Sequence, residues 1–270
     1  MNIMLVIKKS KKYSSVYQPL LERMCAEESV KYKKDKDKIK AVKNKLHEIY
    51  GAFFNENVGA ICDRPRTNAV RPYDINSPEN LLKLNVSSNE RLSFISELYK
   101  FIFDTITDNS DEEINTILDI GCGFNPFSLK FMLESSPKVK IKSYYALDID
   151  LKLAEIINNY FDLLGLPKYA GCIDIISEIP PQKADIAFLF KIIPTVETCK
   201  KGRGAEIINN INAKYIAVSF PTKTLCGKDK GMADNYAAFF ENILDYDKFA
   251  IIGKNIFKNE LVYIISLNSK

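Results

Sequence analysis

The chain has 270 residues, a formal net charge of +4, 46% hydrophobic residues and 27% charged residues. These values are ordinary for a globular protein with one large α/β domain, or with a catalytic domain and a smaller appendage. No apolar run approaches the roughly 18–20 residues that a membrane-spanning helix needs. The apolar start, residues 1–7, is too short for a secretory signal. The sequence therefore predicts a cytoplasmic protein without a membrane anchor.

The cysteine and histidine content excludes two further classes of protein. The six cysteines are scattered without a CxxC pair, and His47 is the only histidine. We therefore expect reduced thiols, no disulfide framework and no bound metal. A histidine-rich metal centre has no ligands to draw on, and a Ser-His-Asp triad would depend on His47 alone.

Charge is distributed unevenly along the chain. Residues 1–50 carry 13 Lys and Arg against six Asp and Glu, whereas residues 101–200 carry nine against 15. A basic arm beside an acidic centre suggests docking on a polyanion. The alternative is a solvated lysine-rich helix, which is what charge runs usually form.

In chain order, the first region is helical. Apolar residues recur at helical spacing from about residue 17 to residue 107. A cap at Ser87 or Ser88 is predicted to begin the last of these helices. A polar linker at 108–113 follows, so we predict an N-terminal helical, basic domain over residues 1–110 and a second domain over 111–270.

After the linker, strands alternate with helices. Strands are predicted at 116–120, 141–147, 169–173, 185–190 and 214–219, and helices end at about 132, 164, 210 and 244. Two more strands, at 249–253 and 261–267, have no helix between them. This order predicts an α/β fold with a Rossmann-like parallel sheet and a C-terminal antiparallel hairpin at its edge.

A glycine turn joins the first strand to the first helix. Gly121 and Gly123 allow a tight turn and a close approach of the backbone to a ligand. A dinucleotide site would require a third glycine at the helix start, where this chain has Asn125 and Pro126. The turn therefore favours a nucleoside ligand without a diphosphate.

Acidic residues end the next two strands. Asp148 is suited to accept hydrogen bonds from a ribose diol, while Asp150 could equally cap the following helix. Asp174 can accept from an adenine amino group, with Ile149 and Ile175 on either side of the ring. Helix capping is the alternative role for each acid. Together the acids resemble the class I methyltransferase pattern.

Several segments resemble one family, the 16S rRNA guanine-N7 methyltransferases that confer aminoglycoside resistance. They are KLHEIYG at 45–51, SSNERL at 87–92, ILDIGCGFNP at 117–126, FLFKIIPT at 188–195, and VSFP at 218–221 with the Gly231-Met232 and Asn235-Tyr236 pairs. The resemblance implies an S-adenosylmethionine-dependent, monomeric rRNA methyltransferase that acts on the 30S subunit. The first forty residues show no clear match beyond being helical and basic.

The resemblance also implies roles for single residues. Arg91 is expected to reach the methionine carboxylate of the cofactor, although an ion pair between the helical domain and the sheet is its alternative role. Thr198 stands near a position where the family carries a glutamine. The other residues implied at the cofactor are Ser87, Ser88, Leu189 and either Phe53 or Phe54.

The expected chemistry needs no general base, because guanine N7 carries a lone pair and no proton. Positioning and exclusion of water then carry catalysis. Lys191 could hold the base oxygen or a phosphate, with snorkelling as its alternative role. Glu197 could stabilise the positive charge that the product ring gains.

A base inside a helix must be extruded to react, so aromatic and basic residues near the site are candidate RNA contacts. Phe220, Met232 and Tyr236 are expected to stack on the base or fill the gap it leaves, although core packing is the commoner fate of Phe and Met. The candidate phosphate contacts are Lys200, Lys201, Arg203, Lys223, Lys228 and Lys230. Lysines of the N-terminal arm, such as Lys33, Lys34 and Lys36, would dock broadly.

Three alternatives stay open at this point. One is an enzyme that methylates adenine N1 in the same decoding site. Another is a non-catalytic RNA-binding module with a Rossmann-like core. A nicotinamide oxidoreductase is disfavoured by the missing third glycine and the lack of a suitable catalytic histidine.

Overall fold

A seven-stranded mixed sheet forms the centre of the computed structural model, which describes residues 3–51, 77–108, 111–223 and 231–268. The strands are β1 (Ile114–Ile120), β2 (Val139–Asp148), β3 (Ala170–Cys172), β4 (Ala184–Phe190), β5 (Ala213–Pro221), β6 (Phe249–Phe257) and β7 (Glu260–Leu267). Their spatial order is β3-β2-β1-β4-β5-β7-β6. The first five strands are parallel, and β7 runs antiparallel to both β5 and β6. The predicted parallel sheet with a closing hairpin is confirmed.

The central strands are apolar on both faces, which is the pattern of a buried parallel sheet. In β1, Ile117 packs into one core layer, whereas Leu118 and Ile120 pack into the layer on the opposite face. Period-two alternation therefore divides a continuous apolar run between two cores. Both faces must be covered by helices.

The described α-helices are α1 (Ile3–Lys8), α2 (Gln18–Lys31), α3 (Asp35–Leu46), α4 (Pro78–Leu82), α5 (Val86–Arg91), α6 (Ile95–Thr107), α7 (Leu129–Ser135), α8 (Leu151–Leu163), α9 (Ile192–Cys199), α10 (Arg203–Asn210) and α11 (Met232–Ile243). Helices α6, α7 and α8 cover one face of the sheet, and α9, α10 and α11 cover the other. Across the described ranges, no helix combines the length and apolar character that crossing a bilayer requires.

Two helix boundaries differ from the prediction. The single helix expected up to residue 210 is split into α9 and α10, because Gly202 between them adopts a left-handed φ of 82°. The predicted cap at Ser87 or Ser88 is wrong, since the Asn85 side chain accepts the Ser88 N–H at 3.2 Å and begins α5 there.

The N-terminal helices have a hydrophobic core of their own. Buried residues of α1, α2 and α3, including Leu21, Met24 and Leu46, form a cluster separate from both faces of the sheet. In contrast, α6 shares the core of the sheet. The described part of the N-terminal region is therefore two structural parts: helices α1 to α3, which we call the N-terminal unit, and helices α4 to α6, which pack with the sheet.

Candidate cofactor and RNA site

A cavity lies at the carboxyl ends of β1, β2 and β4, close to the end of β3 and beneath the N-terminal unit. It is lined by the glycine turn, by the ends of these strands, and by residues of α2, α5 and α9. Ligands of parallel α/β sheets bind at this edge, where the strand order reverses on either side of β1. The cavity therefore coincides with the predicted cofactor site.

The glycine turn has the geometry that only glycine tolerates well. Gly121 and Gly123 have φ values of 65° and 48°. A Cβ atom on Gly121 would lie 2.7 Å from Cδ1 of Ile192. The N–H groups of Gly121 and Cys122 both donate to the carbonyl of Leu147, at 2.8 and 3.1 Å, and fix the turn against β2.

Asp148 lines the cavity directly beside this turn. Its carboxylate accepts the N–H of Gly123 at 2.8 Å and the N–H of Ile149 at 2.7 Å. Burial raises the pKa of Asp148, and the two backbone donors oppose that rise. Asp150 instead accepts from the N–H groups of Lys152 and Leu153 and caps α8, the alternative considered for it from the sequence.

Asp174 lines the cavity at the next strand end and is only 2% exposed. Arg23, from the N-terminal unit, donates from Nε to Oδ2 at 2.5 Å and from Nη2 to Oδ1 at 3.1 Å. Ser177 also donates to Oδ2, at 2.8 Å. Sequence reasoning missed Arg23, because nothing local in α2 indicates a partner 151 positions away.

Apolar residues form the walls between these two acids. Ile149 and Ile175, predicted to enclose the adenine, both line the cavity. Ile173, Leu20 and Ile49 line it as well, the last two from the N-terminal region. A flat ring can pack its faces against these apolar walls, because its faces make few hydrogen bonds that burial would break.

A buried charge cluster lies at the other end of the cavity. Arg91 donates to Glu260 at 2.7 and 3.2 Å, and its guanidinium lies 4.7 Å from the centre of the Phe190 ring. Lys191 lies 3.1 Å from Glu90 and 3.5 Å from Glu260. Burial would raise the pKa of Glu260, but the charges of Arg91 and Lys191 hold it below its usual value.

Within this cluster, the ion pair between Arg91 and Glu260 joins the helical region to the sheet, which is the alternative role considered for Arg91. Arg91 also lines the cavity. The pair with Glu260 therefore places the guanidinium at the cavity wall, and contact with a cofactor carboxylate stays a prediction.

Lys191 has strained backbone geometry. Its φ of 57° is left-handed, which costs free energy for a residue with a Cβ. The Lys191 N–H donates to the carbonyl and the hydroxyl of Ser219, at 3.0 and 3.1 Å, and these contacts hold the conformation. Strain of this kind is concentrated at functional sites.

A hydrogen-bond network lies behind the glycine turn, where the sequence indicated only a helix start. The Asn125 amide donates to Asp119 at 2.8 Å, and its oxygen accepts from Tyr99 at 2.7 Å and from Arg91 at 3.3 Å. Tyr144 donates to Asp119 at 2.7 Å. Burial raises the pKa of Asp119 to about 6, against the effect of these hydrogen bonds.

Ser87 and Ser88 line the cavity, but two other residues implied at the cofactor do not. Leu189 is fully buried in the core and its neighbour Phe190 faces the cavity. Thr198 is exposed, and its hydroxyl donates to the Pro194 carbonyl at 3.0 Å. Alternation along β4 and the phase of α9 account for both differences, because Thr195 and Cys199 occupy the cavity side of the helix.

Glu197 does not line the cavity among the described residues. Its two carboxylate oxygens accept the N–H groups of Gly202 and Gly204, at 2.8 and 2.6 Å. A carboxylate there satisfies otherwise unpaired donors at the start of α10. The observed geometry gives Glu197 a capping role.

The structure corrects two candidate RNA contacts. Phe220 is fully buried and stacks on Tyr236 with ring centres 5.2 Å apart, so it has no face open to a base. Arg203 is 3% exposed and donates to the carbonyls of Ile175 and Glu178, at 3.0 and 3.1 Å. Arg203 braces the loop after β3 and is not a surface cation.

The other RNA candidates that the structure describes are exposed or partly exposed. Lys200, Lys201 and Lys223 are exposed, whereas Met232 and Tyr236 are partly buried in α11. Lys228, Lys230, Phe53 and Phe54 lie outside the described residues.

The cavity fits S-adenosylmethionine in its chemistry. Asp148 and Asp174 are acceptors for a nucleoside, the isoleucines between them suit a flat ring, and Arg91 provides positive charge for an amino-acid carboxylate. No group of side chains among the described residues is arranged to hold a metal ion. The sheet order and this cavity define a class I S-adenosylmethionine-dependent methyltransferase.

Comparison with known proteins identifies the family. The model of the ribosomal RNA methyltransferase family FmrO matches residues 9–264, and the chain belongs to this family. A 16S rRNA (guanine(1405)-N(7))-methyltransferase of Micromonospora echinospora is 32% identical over 267 residues, covering 96% of this chain and 93% of that protein. A protein of the same description from Serratia marcescens is 31% identical over 259 residues, covering 96% and 95%.

A solved structure is similar over nearly the whole chain. The 16S rRNA methyltransferase RmtF in complex with S-adenosyl-L-homocysteine superposes with a TM-score of 0.81 at 28% identity, covering 98% of this chain and 97% of RmtF. The similarity therefore includes the N-terminal region as well as the sheet.

Proposed function

We propose that this protein transfers a methyl group from S-adenosylmethionine to N7 of a guanine in the aminoglycoside-binding A-site of 16S rRNA, and so gives aminoglycoside resistance. The observation that carries the proposal is the similarity to curated guanine(1405)-N(7)-methyltransferases over 96% of the chain. The assembled 30S subunit is the proposed substrate. We also propose that the protein acts as a monomer in the cytoplasm.

Residues along the cavity are proposed to hold the cofactor in sequence. Asp148 accepts from the ribose, Asp174 accepts from the adenine amino group, and Ile149 and Ile175 enclose the ring. Ser87, Ser88 and Arg91 bind the amino-acid end. When bound, the cofactor supplies a methyl group on a positively charged sulfur.

The protein's own contribution to the chemistry is positioning. Guanine N7 carries a lone pair and needs no deprotonation, so no residue of the site is required to act as a general base. Lys191 lies at the cavity with a side chain only 10% exposed, and its carboxylate partners Glu90 and Glu260 hold it near the end of β4. From there it can donate to the base oxygen or to a phosphate.

A role for Glu197 in stabilising the charge of the product ring stays a separate proposal. Glu197→Gln tests it, because glutamine keeps one capping oxygen and removes the negative charge. A lower transfer rate at unchanged melting temperature supports the electrostatic role. Unchanged transfer with a lower melting temperature supports helix capping alone.

The central test is methylation of purified 30S subunits with radiolabelled S-adenosylmethionine. Borohydride and aniline cleavage at the modified position identifies N7-methylguanine, whereas a reverse-transcriptase stop without cleavage would indicate adenine N1 and refute the proposal. Asp148→Asn is the control that should lose transfer. Expression in a susceptible bacterium should raise tolerance to gentamicin-type drugs without raising tolerance to apramycin-type drugs.

Calorimetry with S-adenosylhomocysteine separates the enzyme from a non-catalytic RNA-binding module. The wild-type protein should bind this product with measurable heat. Absence of binding would favour the module and would contradict the proposed cofactor site.

A further inference from the structure

The N-terminal unit closes the adenine end of the cavity. Leu20 and Arg23 of α2 line the cavity, opposite the ends of β2 and β3. The backbone also joins the two parts, because the Tyr17 N–H donates to the Ile149 carbonyl at 2.8 Å and the Leu151 N–H donates to the Ser15 carbonyl at 2.9 Å. The N-terminal unit is therefore fixed to the segment that directly follows Asp148.

The two oxygens of Asp174 are held unequally. Oδ2 accepts two short hydrogen bonds, from Arg23 at 2.5 Å and from Ser177 at 2.8 Å. Oδ1 accepts two longer ones, from Arg23 at 3.1 Å and from the Ile176 N–H at 3.3 Å. A carboxylate offers about four acceptor positions, so Oδ1 is the oxygen that can exchange a weak donor for a new one.

Arg23 is in turn fixed by its own neighbours. Its Nη1 donates to Glu27 at 2.6 Å, and Glu27 lies 3.1 Å from Lys45 of α3. Burial would lower the pKa of Arg23, but the hydrogen bonds to Asp174 and Glu27 and the charges of these two carboxylates raise it. The guanidinium is therefore held by two helices of the N-terminal unit, and it holds Asp174 through Oδ2.

We propose that Arg23 is an adenine-positioning residue supplied by the N-terminal unit. It anchors Oδ2 of Asp174 so that Oδ1 faces the amino group of the adenine, and it thereby sets the preference of the site for an adenine over a ring without that amino group. This inference rests on the proposed function, since it assigns the acceptor for the cofactor. It gives the N-terminal unit a role in cofactor recognition in addition to RNA docking.

The test compares two ligands in matched variants. The ligands are S-adenosylhomocysteine and S-inosylhomocysteine, which has a carbonyl oxygen in place of the amino group. The variants are Arg23→Gln, the conservative Arg23→Lys, and the control Lys40→Gln. Lys40 is exposed on α3 of the same N-terminal unit and does not line the cavity, so the control removes the same charge elsewhere.

We expect wild type and Lys40→Gln to prefer the adenosyl ligand by the same factor. Arg23→Gln should bind the adenosyl ligand about tenfold more weakly and the inosyl ligand with little change, because both charge-assisted hydrogen bonds that position the acceptor are lost. Arg23→Lys should recover part of the preference as a point charge. Circular dichroism establishes that each variant is folded.

Two results would overturn the inference. One is that Arg23→Gln prefers the adenosyl ligand over the inosyl ligand by the same factor as wild type. Weaker binding of both ligands with that preference unchanged would show only that the substitution loosens the site. The other is tighter binding of the adenosyl ligand to Arg23→Gln, which would make Arg23 a competitor of the amino group. If the wild-type protein binds neither ligand, it is the proposed function that fails.

Discussion

Replacing Gly121 by alanine should affect cofactor binding more than it affects the stability of the fold. Gly121 and Gly165 both have left-handed backbones, with φ of 65° and 70°. Changing either to alanine costs about 1–2 kcal/mol of backbone strain. For a chain of this size, that strain corresponds to a fall in melting temperature of roughly 2–8 °C. The two glycines differ in what surrounds them.

A Cβ at position 121 would meet Cδ1 of Ile192 at 2.7 Å, whereas a Cβ at 165 meets nothing within 4 Å. The atom that it meets is the end of a flexible side chain, so Ile192 can move at little cost in stability. Ile192 lines the cavity, however, and its displacement alters the wall of the cofactor site. Gly121→Ala should therefore bind S-adenosylhomocysteine at least about tenfold more weakly than Gly165→Ala, an expected loss of about 1.4 kcal/mol.

Titration calorimetry measures the two dissociation constants, and thermal unfolding of the ligand-free variants measures the two melting temperatures. The reasoning requires similar melting temperatures and different affinities. Equal affinities would show that the close contact at Gly121 does not shape the site. A melting temperature for Gly121→Ala far below that of Gly165→Ala would show that Ile192 cannot move cheaply.

Three further predictions concern charge. Glu260→Gln leaves buried cations without a full partner and should cost about 3 kcal/mol, with thermal unfolding as the measurement and a shift below about 2 °C as the contrary result. Asp119 has a raised pKa of about 6, so its contribution to stability is complete below its unfolded value near 3.8 and is lost as pH rises through about 6. Lowering the pH from 7 to 5 should therefore stabilise the wild type more than Asp119→Asn in melting experiments, and equal shifts would contradict this. Reversing the charges of Lys33, Lys34 and Lys36, which are exposed, should weaken 30S binding in filter assays more than it weakens cofactor binding, and unchanged 30S affinity would refute it.

The sheet and its glycine turn could be predicted because their signals are local. Each strand is a short apolar run, and Gly121 and Gly123 mark the turn wherever the rest of the chain lies. Asp148 and Asp174 follow from the same rule, since parallel strands end at one edge of the sheet. Their place beside the cavity was therefore visible in the sequence.

Errors of one position account for other differences. Leu189 and Thr198 are predicted in the strand and helix that border the cavity, but Phe190 and Cys199, each one position further along, line it. A family motif identifies the helix or strand at the site. The periodicity of that helix or strand then decides which of its side chains point into the cavity. Phe220 illustrates a different limit, because an aromatic residue that stacks on a base and one that fills a core look the same in the sequence.

Long-range partners could not be predicted from one sequence. Arg23 is 151 positions from Asp174, and Arg91 is 169 positions from Glu260. Each pair joins a helix of the N-terminal region to the carboxyl edge of the sheet. Neither arginine lies in a segment whose composition indicates its partner, so tertiary packing alone determines the pairing.

The positive charges of the protein are of two kinds, cations paired at the cavity and lysines exposed to solvent. The cations Arg23, Arg91 and Lys191, which are buried or largely buried, are each paired with a carboxylate, so their charges contribute little to the electrostatic potential outside the site. Exposed lysines such as Lys33 and Lys36 extend into solvent, where counterion release on RNA governs affinity. Salt should therefore weaken docking through the exposed lysines while leaving the buried pairs almost unaffected. The exposed lysines of the basic arm and the ion pairs at the cavity therefore act independently. A variant that alters one set can be assayed without disturbing the other.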